Sequence, residues 1–367
     1  MKKIEWWTPQ VGEEEKVLIS QILEKSFPNE GEYTSLLENK VATLLGSRHA
    51  VAVTSGTAAL FLSLKAIGVG QGDEVIVPDL TFIATANAVQ LCGATPVLVD
   101  VDPRRLTIDP AGVEQAITPK TKAVVPVHVS GRAADMDSLG DIASAHGIYV
   151  VEDAAEGFFS KHNGRCLGTI GSAGCFSFSA AKIITTGQGG MIVTNDDVLY
   201  GQLRELKDQG RPTRGTGGDD IHYSIGYNFK FTDLQAALGL GQMTHLYERM
   251  ERMRLIYETY DRELRGVDGI TLFSFDIDRG EAPQWTDAKV ERRDGLDAYL
   301  RSRDIDCRRY WLPLHRQRPY LRGDDDFPVS TSLSPKALWL PSSFTLDESD
   351  VRGVCDHIKA FMKGSKA

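Results

Sequence analysis

The stretch AVAVTSGTAALFLSLKAIGVGQGDEVIVP, residues 50–78, sets the fold class. It opens on a short β-branched run, AVAVT, and passes through Ser-Gly-Thr. A segment follows that places Leu60, Leu64 and Ile67 on one helical face and stops at Gly68. It ends on a second run, EVIVP (74–78), that is apolar without alternation. Runs of that kind suit strands covered on both faces, and strand–helix–strand succession is the unit of a parallel sheet.

The same rhythm continues outward. TPVLVDV (95–101), KAVVPVHV (122–129), IYVVED (148–153), CFSFS (175–179) and MIVTN (191–195) follow, and the segments between the first five runs read as helices. This predicts an α/β domain with a mostly parallel sheet. After about residue 245 the pattern changes to a long charged helix, HLYERMERMRLIYETYDRELRG (245–266), then short strands and a final helix near 347–363. The expected division is a large domain over 1–245, including an N-terminal arm, and a smaller α/β domain over 246–367. A chain of 367 residues is long enough for both. The Gly-rich charged stretch DQGRPTRGTGGDD (208–220) reads as a surface loop.

Composition narrows the function. The formal net charge is −9, which argues against non-specific nucleic-acid binding; an anionic small molecule would need local basic groups. The five cysteines are odd in number and none has C-x-x-C spacing. No disulfide framework or metal site is expected, and a reduced cytoplasm is the default. The start MKKIEWWTPQVGEEEK has no apolar core of a signal peptide, and no run reaches the ~18 apolar residues of a membrane helix.

Three stretches carry chemistry. In VAVTSGTAAL (51–60) a strand leads through Ser55, Gly56 and Thr57 into a helix. Backbone N–H groups there suit a phosphate, although Ser55 or Thr57 as an N-cap explains the same residues. VVEDAAEGF (150–158) puts Asp153 at the C-terminal end of a strand, where α/β sheets bind ligands, or where a helix could be capped. In GCFSFSAAKIITTGQGGMIVTND (174–196) one lysine, Lys182, lies between two runs that read as buried strand. Most lysines are solvated surface groups, but one held in a dry place can lose its proton and form a Schiff base. A phosphate cup, a carboxylate for a ring nitrogen and a Schiff-base lysine, in that order, are what pyridoxal 5′-phosphate (PLP) requires.

These residues sit inside a wider likeness. TSGTAAL, GDEVIVPDLTFIATANAVQLCGATPVLVDVDP, KAVVPVHVSG, VVEDAAEGF, FSFSAAKIITTGQGGMIVTND and GYNFKFTDLQAALGLGQM occur in order along the chain. In these the sequence resembles the DegT/DnrJ/EryC1/StrS aminotransferases, fold-type I PLP enzymes that act mainly on nucleotide-linked keto sugars. The resemblance implies an aspartate aminotransferase-like fold with a mixed, mostly parallel seven-stranded sheet and a smaller C-terminal domain. It further implies that Gly56, Thr57 and Ser177 hold the phosphate, that Phe82 stacks on the cofactor ring, and that Asp153 pairs with the pyridine nitrogen. Glu156 would lie close to the ring and Lys182 would carry it. Asn228 would reach the phosphate of a neighbouring subunit, giving a homodimer with shared sites. CRRYWLPLH (307–315) makes Arg308 and His315 substrate-side candidates. Together with Arg309, and with Arg211 and Arg214 of the 208–220 loop, they would hold a diphosphate. Phe82 as ordinary core, Asn228 as a turn residue and His315 as a structural histidine are the plain alternatives.

The implied reaction moves an amino group from an amino acid, glutamate by analogy, to a nucleotide-linked 4-keto or 3-keto deoxysugar. A non-nucleotide keto sugar or cyclitol, or a PLP-binding regulator without turnover, would be the alternatives. Lys182 argues against relatives that carry histidine there. Gln188 stands where the family usually has Glu, Ser130 where many members have an aromatic residue, and 275–295 departs from the family pattern.

Overall fold

The computed structural model describes residues 3–212 and 220–364. Two helices, α1 (Glu13–Glu24) and α2 (Glu32–Leu45), lead into β1 (His49–Val53), α3 (Gly56–Ala66), β2 (Glu74–Pro78), α4 (Ala84–Leu91), β3 (Thr95–Val99) and α5 (Pro110–Ala116). Next come β4 (Thr121–Val124), α6 (Met136–His146), β5 (Tyr149–Asp153), a short hairpin of β6 (Lys161–His162) and β7 (Arg165–Cys166), β8 (Ala173–Ser177), β9 (Gly190–Thr194) and α7 (Asp197–Lys207). Seven of these strands form one sheet in the order β1-β9-β8-β5-β4-β2-β3. Only β9 runs against its neighbours, so the sheet is mixed and mostly parallel.

The strands follow the apolar runs to within a residue or two, with one break. KAVVPVHV is strand only over β4, because Pro126 has no N–H to give a ladder; beyond it Val127 makes a single bridge to Asp153. Helix α3 also differs from a one-faced helix. Phe61, Leu62 and Ser63 are buried along with Leu60 and Leu64, because α3 lies between the sheet and two helices, α4 and α7.

The remaining elements are α8 (Asp233–Thr244), α9 (Leu246–Leu264), β10 (Ile270–Leu272), β11 (Asp287–Val290), α10 (Arg293–Arg301), β12 (Arg308–Arg309), α11 (Pro328–Leu333), β13 (Ala337–Trp339) and α12 (Glu348–Lys363). Strands β10-β11-β13-β12 make a second, antiparallel sheet. Helix α8 docks on α1 and α2 through Ala236, Ala237, Gly239 and Gly241, small residues that allow close approach. Its first residue, Asp233, accepts N–H bonds from Gly31, Tyr33 and Thr34 and so caps α2 from a distance.

The two sheets meet over a buried cluster that includes Leu80, Val101 and Val127 from one side and Phe273, Trp285 and Trp339 from the other. A charged knot crosses the same junction. Arg132 is fully buried and forks onto Asp287 at 2.6 and 2.7 Å, and Tyr310 and Ser130 both donate hydroxyl bonds to Asp287. Burial opposes the Arg132 charge, but Asp287 and Tyr310 more than offset it and hold its pKa above the ordinary value. No helix among the described residues is long and apolar enough to cross a membrane.

Candidate active site

The C-terminal ends of β1, β2, β5 and β8 and the start of β9 converge on one edge of the large sheet. Gly190, the first residue of β9, lies opposite both Val53 and Ser177. A Cβ on Gly190 would sit 2.4 Å from the Ser55 carbonyl oxygen, and one on Gly56 would meet the Ser177 Cβ at 3.0 Å. Only glycine lets the start of α3 come down onto these strand ends. Ser55 caps α3 by accepting the Ala58 N–H at 3.1 Å. The capping explanation therefore holds for Ser55, and the N–H groups of Gly56 and Thr57 are left at the open end of the helix.

A cavity of about 280 Å³ lies on this edge. Gly56, Thr57, Phe82, Asp153, Glu156, Ser177, Lys182 and Arg308 all line it, so eight of the thirteen candidate residues come together. A larger cleft, about 570 Å³, lies between residues 9–15 and the start of α9, but it contains none of these groups.

Lys182 sits on the hairpin loop between β8 and β9, two strands buried over nearly their whole length. The loop is pinned from outside. The Trp7 indole donates to the Ala180 carbonyl at 2.9 Å and Arg249 to the Ile183 carbonyl at 3.0 Å. The Lys182 side chain is only 12% exposed; its Nζ lies 3.5 Å from Glu156 Oε1 and over the Trp285 ring at 4.6 Å. Burial pushes the Lys182 pKa down, with Glu156 and Asp153 resisting, and burial pushes Glu156 up. Both shifts favour the neutral forms, and that is the state in which an amine can act as nucleophile or base. Glu156 is itself aimed by the Ser130 N–H at 2.9 Å. Ser130 adopts a left-handed φ of 56°, rare outside glycine, while its hydroxyl is tied to Asp287.

Asp153 is 5% exposed and burial raises its pKa. Two bonds work against burial: Thr85 Oγ1 donates to Oδ2 at 2.8 Å, and the Ala155 N–H donates to Oδ1 at 3.2 Å. No helix begins here, so Asp153 is not an N-cap, and among the described residues it enters no ion pair. A buried carboxylate that faces a cavity and is held in no ion pair is a fitting partner for a protonated pyridine nitrogen. Phe82 is 52% exposed, so it is not core, and its ring is free to cover a flat ligand. Together with the α3 N-terminus and the Ser177 hydroxyl, this donor set fits PLP.

The other candidates lie elsewhere. His315 is fully buried, with Nδ1 2.7 Å from Asp79 and its ring stacked on Phe327. That is the structural-histidine alternative, and His315 does not line the cavity. Arg211 pairs with Asp220 at 2.9 Å, and Arg309 bonds Asp297 at 2.8 Å. Arg214 lies outside the described residues. Asn228 is exposed, bridged to Asp208, and not among the cavity residues. The basic groups expected to hold a diphosphate therefore do not gather into one patch.

Sequence reasoning missed Thr85, Trp285 and Trp311. Thr85 was findable: it stands three residues after Phe82, and this threonine turns inward to Asp153. Trp285 lies in the segment that departs from the family pattern and Trp311 inside CRRYWLPLH, and no periodicity announces either.

With this geometry in hand, comparison with known proteins gives the family. The sequence profile of the DegT/DnrJ/EryC1/StrS aminotransferase family matches residues 9–359. The chain is 36% identical to the spore coat polysaccharide biosynthesis protein SpsC of Bacillus subtilis (97% of this chain, 96% of that one). It is 34% identical to GDP-perosamine synthase of Escherichia coli O157:H7 (98% and 99%). Among solved structures, Spr1654 from Streptococcus pneumoniae in its PLP form superposes with a TM-score of 0.92 at 26% identity, covering 99% of each chain. A match over nearly the whole length, in a span that includes the cavity, places this chain in the DegT/DnrJ/EryC1/StrS aminotransferase family.

Proposed function

We propose that this chain is a PLP-dependent aminotransferase that moves an amino group from an amino acid, L-glutamate, to a nucleotide-linked keto sugar, a 4-keto or 3-keto deoxysugar. The observation that carries the reading is the trio in one cavity: Lys182 with its amine beside Glu156, and Asp153 buried and, among the described residues, in no ion pair. The family match and the GDP-perosamine synthase relative support the substrate class.

In this reading the N–H groups of Gly56 and Thr57 and the Ser177 hydroxyl take the phosphate, helped by the positive end of α3. Phe82 covers one face of the ring. Bound there, PLP acts as an electron sink for the carbon that loses or gains nitrogen. Asp153, ionised, holds a proton on the ring nitrogen. Lys182 anchors the cofactor through Nζ and, when displaced, carries a proton to and from the substrate carbon. Glu156, at 3.5 Å, can take or return a proton at Nζ. The walls of Trp285 and Trp311 keep water from that exchange.

Further parts of the reading are a homodimer in which Asn228 serves the neighbour's phosphate, a division of the chain near residue 245, and a cytoplasmic location. The exposure of Asn228 on its own chain and five unpaired, buried cysteines accord with these. Borohydride treatment of the yellow holoenzyme should fix the cofactor on the peptide containing Lys182; a label on another lysine would reject the assignment. A panel of nucleotide keto sugars incubated with L-glutamate should yield one amino sugar. Lys182→Ala and a disabled Asn228 variant, each inactive alone, should regain activity after subunit exchange. No recovery despite exchange would mean that each site is built from a single chain.

A further inference from the structure

Trp285 sits just before β11 and is 2% exposed, and it lines the cavity that holds Lys182. Its neighbours in the chain fix it from both sides. The Gln284 N–H donates to the Ser130 carbonyl at 2.8 Å, and the Thr286 N–H donates to Ser342 Oγ at 2.9 Å. The ring is wedged among Trp6, Trp7 and Trp339, with centroids 5.2, 6.4 and 5.5 Å away. So held, it turns a face to Lys182, whose Nζ lies 4.6 Å from its centroid, within the range of a cation–π contact.

Packing alone does not account for an indole here. Nε1 of Trp285 is buried and, among the described residues, has no hydrogen-bond partner, an arrangement with a free-energy cost that a phenyl ring would avoid. Trp6 has the same unpartnered N–H, and it too lies against a cation, the Arg308 guanidinium at 4.8 Å. What an indole offers over a phenyl ring in both places is the stronger π face.

Lys182 has a use for such a face. An amine that takes a proton from the substrate carbon becomes an ammonium in a place where burial disfavours charge. Glu156 and Asp153 favour that charge, and Arg308 opposes it. Glu156, at 3.5 Å, is a limited help, because burial pushes it toward its own neutral form and it draws the proton away from Nζ. A carboxylate strong enough to hold the ammonium would hold it permanently and leave no free base. A π face attracts the ammonium, does not take its proton and leaves the neutral amine almost untouched. We therefore propose that Trp285 is a positioning residue that acts through Lys182: its indole face stabilises the ammonium during proton transfer and lets the neutral amine return afterwards. The inference rests on the aminotransferase reading above.

The test reads the Lys182 amine rather than turnover. After the donor gives its nitrogen, the cofactor is pyridoxamine phosphate and Lys182 is free. The enzyme loaded with pyridoxamine phosphate is therefore labelled with trace acetic anhydride across a pH series, and the Lys182 peptide is followed by mass spectrometry. In Trp285→Leu, which keeps the place apolar, the apparent pKa of Lys182 should fall by about one unit. In Trp285→Phe, which keeps a weaker face, it should fall by about half as much. Fluorinated tryptophans placed at position 285 keep the shape, and with it the fold, while draining electron density from the face. Each added fluorine should lower the pKa further. An indole that only kept water out would behave otherwise: Trp285→Leu would loosen the wall, and the pKa would rise toward that of an ordinary lysine. That rise, an unchanged value in Trp285→Leu, or indifference to fluorination would overturn the proposal. A chain that binds neither PLP nor pyridoxamine phosphate would fail the aminotransferase reading, while the same labelling of the cofactor-free chain would still decide the role of Trp285.

Discussion

Thr85→Val isolates the electrostatics of Asp153 without touching its carboxylate. The threonine is 1% exposed, and valine fills nearly the same volume, so little cavity is created. What disappears is the 2.8 Å hydroxyl bond to Asp153 Oδ2, a donor that favours the ionised form, together with a 3.2 Å bond to the Thr81 hydroxyl that bears no charge. A hydrogen bond to a charged group is worth about 1.5–3 kcal/mol, so the ionised-to-neutral ratio of Asp153 should fall roughly ten- to a hundredfold. Burial already raises this pKa, and losing the donor raises it further. The acidic limb of the donor half-reaction should therefore move to higher pH, and the rates of variant and wild type should converge where both carboxyls are ionised. The assay is the single-turnover absorbance change with L-glutamate across a pH series. Asp153→Asn, which cannot ionise, should show no recovery at any pH. A Thr85→Val defect that is uniform across pH, or no shift of the limb, would refute the argument that Thr85 acts by keeping Asp153 charged.

Other outcomes follow from the same geometry. Because burial holds the folded pKa of Asp153 above its ordinary value, ionising it costs the cofactor-free fold stability that is present at low pH and lost as pH rises. Urea unfolding of cofactor-free Asp153→Asn at about pH 5 and about pH 8 should show a smaller decline with pH than wild type; an equal decline would remove the cause assigned here. Asp287→Asn should cost about 3–5 kcal/mol in urea unfolding by leaving the buried Arg132 uncompensated, and Arg132→Met should restore part of it; a loss under about 1 kcal/mol would contradict the knot's role. Gly190→Ala should destabilise by about 1–3 kcal/mol and release PLP more readily on gel filtration, since the new methyl would strike the Ser55 carbonyl at the head of α3; full retention at wild-type stability would show that the strand ends can spread.

Much of the large sheet was legible because its strands are buried on both faces and so read as unbroken apolar runs. The dry setting of Lys182 was legible for the same reason: a lysine between two such runs is drawn in with them. The legible part stops where function depends on contacts distant in sequence. Nothing near Arg308 or Arg309 tells which of the two has an acid partner; Asp297 on α10 decides it. His315 and Arg211 look like substrate groups until Asp79 and Asp220 are seen beside them. Asn228 lies exposed on its own chain and away from the cavity, so its part depends on a contact outside that chain.

The sheet order has a consequence for biosynthesis. Strand β1 is made early but is hydrogen-bonded only to β9, whose residues follow roughly 140 positions later, or about 7–30 s at ordinary elongation rates. Helix α2 waits still longer for Asp233, which caps its first turn. During that interval the emerging chain presents an unpaired strand, apolar from Ala50 to Val53, and an uncapped helix to the cell. Nascent chains halted before residue 190 should therefore bind holdase chaperones, and chains extended past α8 should release them.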